Sequence, residues 1–435
     1  MKTTGRMSRR TFIKGIIGGG VLLAAGGLWL PQTQVGRKVQ QKAVDLFADG
    51  DVMNLRQMMT QDPAVSRHIM WQSAAAFKEP AFIEYRRQGS GDALRAEASE
   101  RFFTDDGVDN FQYGATIEGL EPGNVYEYRV ASGDKAGDWQ SLTTPAKDQS
   151  SFKALIFPDS QSNDYSDWKN LVKVAAANNP DANFFVNMGD LVDNGEDHTQ
   201  WQAWFGATEP LRQSIPFAPI MGNHETYNQD WKVRLPHAYL NYFDLPENGS
   251  RDFQNYYYSY DYGDVHFVML SSEWDETEEF RPGLLDAEVA WLRDDLAKTD
   301  KKWKVAMVHR DVLQYRISRM PDRKEGFSEE GTVFMPIFEE FGVDLVYTAH
   351  LHTYRNRGHL YQGKRDERGP LYILTGVAGN VRYPGLWTDH ALDDYVAPQP
   401  ETDNYIVLAV NGDTLTSTCH LPDGTEIDRS VLQKA

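Results

Sequence analysis

Asp159, Gly189-Asp190, Gly222-Asn223-His224-Glu225, His309 and Ala349-His350-Leu351-His352 are the residues of this 435-residue chain whose types and placement suit chemistry. Each group falls just beyond a short apolar run, at 152–157, 183–187, 217–221, 303–308 and 343–348. Runs of this kind read as strands, and in α/β sheets ligands gather outside the carboxyl ends of the strands. Taken singly, an Asp after a strand reads as a turn or helix cap, and a lone His as a satisfied surface or core group. Five such groups, drawn only from Asp, Asn and His, are not explained as caps.

Carboxylate, carboxamide and imidazole donors suit Zn, Mn and Fe. Two-metal hydrolases hold such ions about 3.5–4 Å apart. A carboxylate, with two oxygens and a negative charge, can bridge both. Gly189 and Gly222 are expected to let the backbone turn sharply beneath the metals.

The elements that must position these residues follow a strand–helix–strand rhythm after residue 150. A helix is expected at 168–178 and another at 286–298, with Val289, Leu292 and Leu296 on one face. Further strands are expected at 256–261, 265–271, 371–375 and 405–410. Such alternation predicts a layered α/β domain over 149–435. Upstream the character changes. Short β-branched and aromatic runs at 67–72, 81–86, 94–103, 112–120 and 125–131 are separated by turn clusters such as Gln88-Gly89-Ser90-Gly91 and Glu121-Pro122-Gly123-Asn124. They predict a β-sandwich over 61–148, with Tyr126 and Tyr128 on one sheet face. Its end, from Ile117 through Val130, resembles a fibronectin type III domain. Residues 31–60 read as a helical linker, with Val39, Ala43, Leu46 and Phe47 at helical spacing.

Bulk composition excludes other classes. The net charge is −19, and no Lys/Arg-rich block follows the N-terminus, so bulk nucleic-acid binding is not expected. One cysteine, Cys419, supports neither a disulfide framework nor a Cys-based zinc site. Residues 1–30 read as an address. Lys2, Arg6, Arg9, Arg10 and Lys14 come without an acid and precede a Gly- and Leu-rich run. The stretch from Ser8 to Lys14 resembles a bacterial twin-arginine export signal. It implies the twin-arginine translocation machinery as a partner and a periplasmic or extracellular location. No clean A-x-A site precedes Pro31, so membrane anchoring by an uncleaved signal stays open.

The ordered motif set resembles the metallophosphoesterase (calcineurin-like) signature. Together with the preceding sandwich it is most similar to the purple acid phosphatases, from about Ala64 to the C-terminus. The resemblance implies a four-layer α/β/β/α sandwich preceded by an all-β, fibronectin type III-like domain, and two divalent or trivalent metal ions (Fe, Mn or Zn). It implies that Asp190 bridges them, that Asp159 and His352 complete one site, and that Asn223, His309 and His350 bind the other. His224 would sit beside the scissile phosphate, bonding an oxygen or protonating the leaving group. The implied reaction is hydrolysis of small phosphomonoesters by a metal-bound hydroxide. A phosphodiesterase or nucleotide hydrolase using the same metals, and a non-catalytic cell-surface binding module, are the alternatives.

Two positions depart from the family pattern. Asp193 stands where purple acid phosphatases carry the tyrosine that colours them, so no tyrosinate band is expected. Asp159-Ser160-Gln161 stands where the wider superfamily has Asp-x-His. Gln161 and Asp193 are therefore further candidate ligands. Arg310 and Tyr354 are candidate substrate contacts. The family's extra pair of substrate-side histidines has no counterpart in 272–279. His237, His266, His359 and His390 read as non-ligands. Loops 226–250, 314–332 and 383–402 are expected to shape the pocket, with Trp231, Tyr242, Trp387 and Tyr395 as candidate stacking surfaces.

Overall fold

The computed structural model describes residues 50–434. The twin-arginine-like run, and most of the expected linker, lie outside them.

The N-terminal strands form a sandwich because their buried residues alternate. In Val125–Ser132, Tyr126, Tyr128 and Val130 turn inward while Val125, Glu127 and Arg129 between them are more exposed. They meet Ile69, Trp71, Tyr113, Ile83 and Leu142 in a small separate core. One sheet holds Met53–Met58, Ser66–Ser73, Val108–Glu118 and Ser99–Asp105; the other holds Leu94–Glu97, Ala81–Arg87, Val125–Ser132, Lys135–Ala136 and Gln140–Thr143. The single strand expected at 94–103 is two strands. Leu94–Glu97 pairs with Ala81–Arg87, and Ser99–Asp105 pairs with Val108–Glu118, so the chain changes sheets near Ala98. Both are largely exposed, so burial leaves no periodic trace of the crossing.

Met53–Met58 corrects the helical-linker expectation: it is a strand. It runs antiparallel to Ser66–Ser73 and parallel to Phe217–Pro219. Its polar residues misled because they are buried and bonded. Arg56 Nε donates to Tyr242 O at 3.1 Å and Nη2 to Gln112 Oε1 at 3.1 Å. Gln57 Nε2 donates to Ser141 O and Gln213 O, both at 2.8 Å. The pairing of Met58 with Phe217 joins the sandwich's sheet to the α/β part, making one ten-stranded sheet.

Beyond that junction the sheet runs through Phe217–Pro219, Phe184–Asn187, Ser151–Phe157, Tyr405–Asn411, Thr414–His420 and Glu426–Gln433. A second, eight-stranded sheet contains Tyr258–Tyr262, Val265–Leu270, Trp303–Val308, Leu345–Thr348, Leu371–Thr375 and Tyr354–Tyr361. The two sheets face each other across an apolar layer, where Phe184 of the first packs against Tyr260, Tyr262 and Phe267 of the second. Helices cover the outside. Ser166–Asn178 and His198–Ala207 lie on the first sheet, through Trp168 against Phe157 and Trp204 against Phe217. Leu284–Lys298 and Glu329–Phe341 lie against the second, through Glu288 on Ser271 N and Phe341 O on Lys304. The result is a four-layer α/β/β/α arrangement. Among the described residues no helix is long and apolar enough to cross a membrane.

Candidate metal centre

Ser151–Phe157, Phe184–Asn187 and Phe217–Pro219 run parallel in the first sheet, as do Trp303–Val308 and Leu345–Thr348 in the second. Their chains therefore leave at one edge, and the side chains that follow converge. Asp190, His309 and His350 present ligand atoms within 4.8 Å of one another, as do Asp159, Asp190 and His352. Asp190 belongs to both sets. Asn223 joins this edge on a short 3-10 turn, Asn223–Thr226.

The backbone beneath the cluster is held in an uncommon conformation. Asp190, His350 and His352 have φ of 47°, 74° and 53°. Left-handed residues with side chains cost about 1–3 kcal/mol each and collect at functional sites. Gly189, at φ 91°, makes the turn before Asp190. Gly222 acts differently from the expected turn. Its φ of −116° and ψ of −178° suit any residue, but a Cβ there would lie 2.3 Å from Asp190 Oδ1. Gly222 provides room rather than a bend.

The donor set fits a pair of transition-metal ions. Asn223 Oδ1, Gln161 Oε1, His309 Nε2 and His350 Nδ1 are buried without a hydrogen-bond partner, a costly state unless something else binds them. His309 Nδ1 donates to Met188 O at 2.8 Å and His352 Nδ1 to Val381 O at 2.7 Å. A carbonyl only accepts, so each Nδ1 carries a proton and each Nε2 faces the carboxylates. His309 Nε2 is 3.2 Å from Asp190 Oδ2, and His352 Nε2 is 3.6 Å from Asp159 Oδ1.

The charges show what this site demands. Burial, with Asp190 adding to it and His309 opposing, pushes Asp159 up to about 8. Burial would also raise Asp190, but His309 and His224 outweigh it and hold it below the carboxylate range. Burial opposes charge on His309, yet Asp190 and Asp159 draw it up to about 10. Burial takes His352 down to about 4. Two carboxylates in a dry edge call for cations between them.

Glu225 was not read from the sequence as a positioning residue, and it is one. Its fully buried carboxylate accepts from the backbone N–H groups of Asp190, Leu191, Val192 and Gly222. Burial and then the neighbouring Asp190 push it up to about 8, against donors that favour the ionised form. The Glu that follows Asn-His in the motif was its only signal.

His224 lies beside this cluster. Its backbone N–H donates to Asp190 Oδ1 at 2.8 Å, and its Nδ1 donates to Asp193 O at 2.6 Å. Gln161 Nε2 reaches Asp193 Oδ1 at 3.5 Å, leaving the Gln161 carbonyl oxygen as the orphan. Tyr383, also unforeseen, packs against His352 with ring centroids 4.9 Å apart and the planes tilted by 48°. It comes from the loop after Leu371–Thr375, and no local pattern marks it.

Of the two candidate substrate contacts, Arg310 is already engaged by acids and Tyr354 is buried away from solvent. Arg310 is ion-paired with Glu276, with Glu273 at 3.3 Å and with Glu330 at 3.9 Å, so neighbouring acids already engage its charge. Tyr354 is buried in a strand, and its hydroxyl donates to Asp428 Oδ2 at 2.8 Å. Tyr242 is buried in the core, and Trp387 anchors its loop by donating from Nε1 to Leu351 O at 2.8 Å. His266 bridges Asp261 and Asp295 at 2.8 Å each, away from the metal sets.

Residues 136–354 match the family model of calcineurin-like phosphoesterases, and residues 53–144 match that of the purple acid phosphatase N-terminal domain. Purple acid phosphatase 23 of Arabidopsis thaliana is 26% identical over 373 residues, covering 77% of this chain and 76% of that one. Acid phosphatase type 7 of Mus musculus is 26% identical over 351 residues, covering 72% and 77%. Among solved structures, a purple acid phosphatase from yellow lupin (Lupinus luteus) seeds superposes with a TM-score of 0.74 at 16% identity, over 88% of this chain and 74% of that one. At that identity the superposition speaks for the fold.

Proposed function

This chain belongs to the calcineurin-like phosphoesterase family and is a metal-dependent phosphoric-ester hydrolase resembling purple acid phosphatases; from that premise we propose that it is an exported hydrolase of small phosphomonoesters. The observation that carries the site assignment is the pair of ligand triads sharing Asp190, accompanied by buried side-chain atoms of Asn223, His309 and His350 that have no hydrogen-bond partner. In this reading Asp159, Asp190 and His352 hold one ion, and Asp190, Asn223, His309 and His350 hold the other. Gln161 or Asp193 is available to complete the first site. When bound, such a pair activates water and neutralises charge gathering on the phosphate oxygens.

The chain's own contribution beyond holding ions centres on His224. With Nδ1–H committed to Asp193 O, only Nε2 is free, and Nε2 can donate only when the ring is an imidazolium. His224 therefore protonates the leaving oxygen, or bonds a phosphate oxygen, in its cationic form. The side-chain Oδ1 of Asp193 lies 3.7 Å from the same Nδ1. The backbone N–H bond from His224 to Asp190 keeps the ring at a fixed offset from the metal ligands.

The test is kcat/KM for a chromogenic phosphomonoester against the matching diester, with the chain loaded with Mn, Zn or Fe. Preference for the monoester supports the proposal. Preference for the diester moves the function to phosphodiester or nucleotide cleavage, and cleavage of neither by a metal-replete protein overturns the phosphatase reading. The export reading rests on the run from Ser8 to Lys14. Replacing Arg9 and Arg10 by Lys should block translocation; unaltered export would overturn it.

A further inference from the structure

Trp231 is a large aromatic residue that is 55% exposed, and the fold spends structure on keeping it so. It sits in a tight turn closed by the pairing of Tyr227 with Val233. Trp231 N donates to Asn228 O at 2.8 Å, and Asn228 N donates to Lys232 O at 2.9 Å. Asn228 Oδ1 accepts from Asp230 N and Lys232 N. Trp231 itself has φ of 59°, a region where a bulky residue is an outlier and Gly or Asn is at ease.

The turn is braced from outside. Gln229 Nε2 donates to Asp106 Oδ1 at 2.7 Å, and Gln229 N donates to Glu196 Oε2 at 2.8 Å. Arg234 pairs with Asp105 at 2.8 Å and with Glu196 at 3.2 Å. So held, the indole stands edge-on to the His224 ring, centroids 5.8 Å apart at 85°, and 6.1 Å from Tyr227. A tryptophan that merely anchors a loop looks different here: Trp387 and Trp291 bury much of the ring and donate from Nε1 to a backbone carbonyl.

We propose that Trp231 is the surface on which the substrate's leaving group lies, and that the substrates are phosphomonoesters of flat aromatic alcohols. The argument rests on the reading of His224 as the group beside the leaving oxygen. If Nε2 faces that oxygen, the rest of the leaving group extends past His224 toward solvent, and the aromatic face there is the indole. An exposed indole binds planar groups by stacking, while a small aliphatic alcohol gains little from it.

The experiment compares the metal-loaded full chain with Trp231→Ala and Trp231→Phe on 2-naphthyl phosphate and on glycerol 2-phosphate. Each variant is divided by wild type within one substrate, so leaving-group acidity cancels. Inhibition by inorganic phosphate reports whether the metal site is intact. Trp231→Ala should lower kcat/KM for the naphthyl ester about tenfold, the scale of one stacked ring. Glycerol phosphate turnover and phosphate inhibition should stay within about twofold. Trp231→Phe should recover most of the loss. Equal falls on both substrates, or no fall on either, overturn the proposal while leaving the phosphatase reading standing. Cleavage of neither ester by wild type overturns both.

Discussion

Glu225 Oε2 accepts the backbone N–H of Asp190 at 3.0 Å. The same oxygen takes Gly222 N–H at 2.7 Å, so one buried carboxylate fixes the separation of two strand ends that carry metal ligands. In Glu225→Gln an amide NH2 would confront backbone donors. A loss of about 3 kcal/mol of stability is expected, the usual scale for unpairing a buried charged hydrogen-bonding group. Urea unfolding measures it, with metal stoichiometry as a second readout. An unchanged midpoint and full metal content would remove Glu225 from this role.

Asp190 is the residue common to both ligand sets. Asp190→Asn should therefore weaken both ions together, and activity should fall by more than the roughly 10–100-fold typical of losing an outer partner of a ligand. Metal analysis after dialysis decides: one ion retained at full occupancy would contradict a shared ligand.

Asp193 occupies the place of the colour-giving tyrosine in the resembling family. Iron-loaded protein is expected to lack a tyrosinate band in the visible spectrum, and Asp193→Tyr to introduce one. A visible band in the unaltered chain would point to another phenol, with Tyr383 beside His352 the first to examine.

His224 should matter in proportion to the basicity of the leaving group. His224→Ala is expected to cost about 10²–10⁴-fold on alkyl phosphates and much less on nitrophenyl phosphate, whose leaving oxygen needs no proton. Equal losses on both would make His224 a phosphate-oxygen contact instead.

His266 offers a pH signature remote from the metals. Burial disfavours its charge, but hydrogen bonds to Asp261 and Asp295 prevail and raise it to about 9, against about 6.5 unfolded. A raised folded value means the folded state holds the proton longer. The stabilisation is complete below about pH 6.5 and fades as pH rises through about 9. Its scale is about 2 kcal/mol, since Asp261 is partly exposed and screened. His266→Gln should flatten the stability difference between pH 6 and pH 9 in paired unfolding curves; parallel curves would exclude the effect.

What was legible in the sequence was what local pattern carries. The apolar runs of the sheet strands, and the Asp, Asn and His residues just past them, stand next to each other in the chain. Contacts between distant segments left no such trace. Arg310 looked available because Glu273, Glu276 and Glu330 come from other turns. Tyr354, two residues after His352, looked close to the site, yet strand alternation buries it toward Asp428. Gly222 looked like a bend because the side chain it avoids belongs to Asp190, far back in the chain. Met53–Met58 looked polar because its Arg and Gln residues find their partners on segments distant in the chain, at Gln112 and Ser141 in the sandwich and at Tyr242 and Gln213 beyond it.

The pairing of Met58 with Phe217 also bears on how the molecule can be dissected. Phe217–Pro219 has Phe184–Asn187 on one side and Met53–Met58 on the other. A fragment beginning near residue 150 would lose that second neighbour, along with the hydrogen bonds from Gln57 and Tyr128 to Gln213 O. It would show solvent an unpaired apolar edge, the template on which sheets of separate chains join. Such a fragment should self-associate on purification, so the sandwich acts as a solubility device for the part that carries the metals.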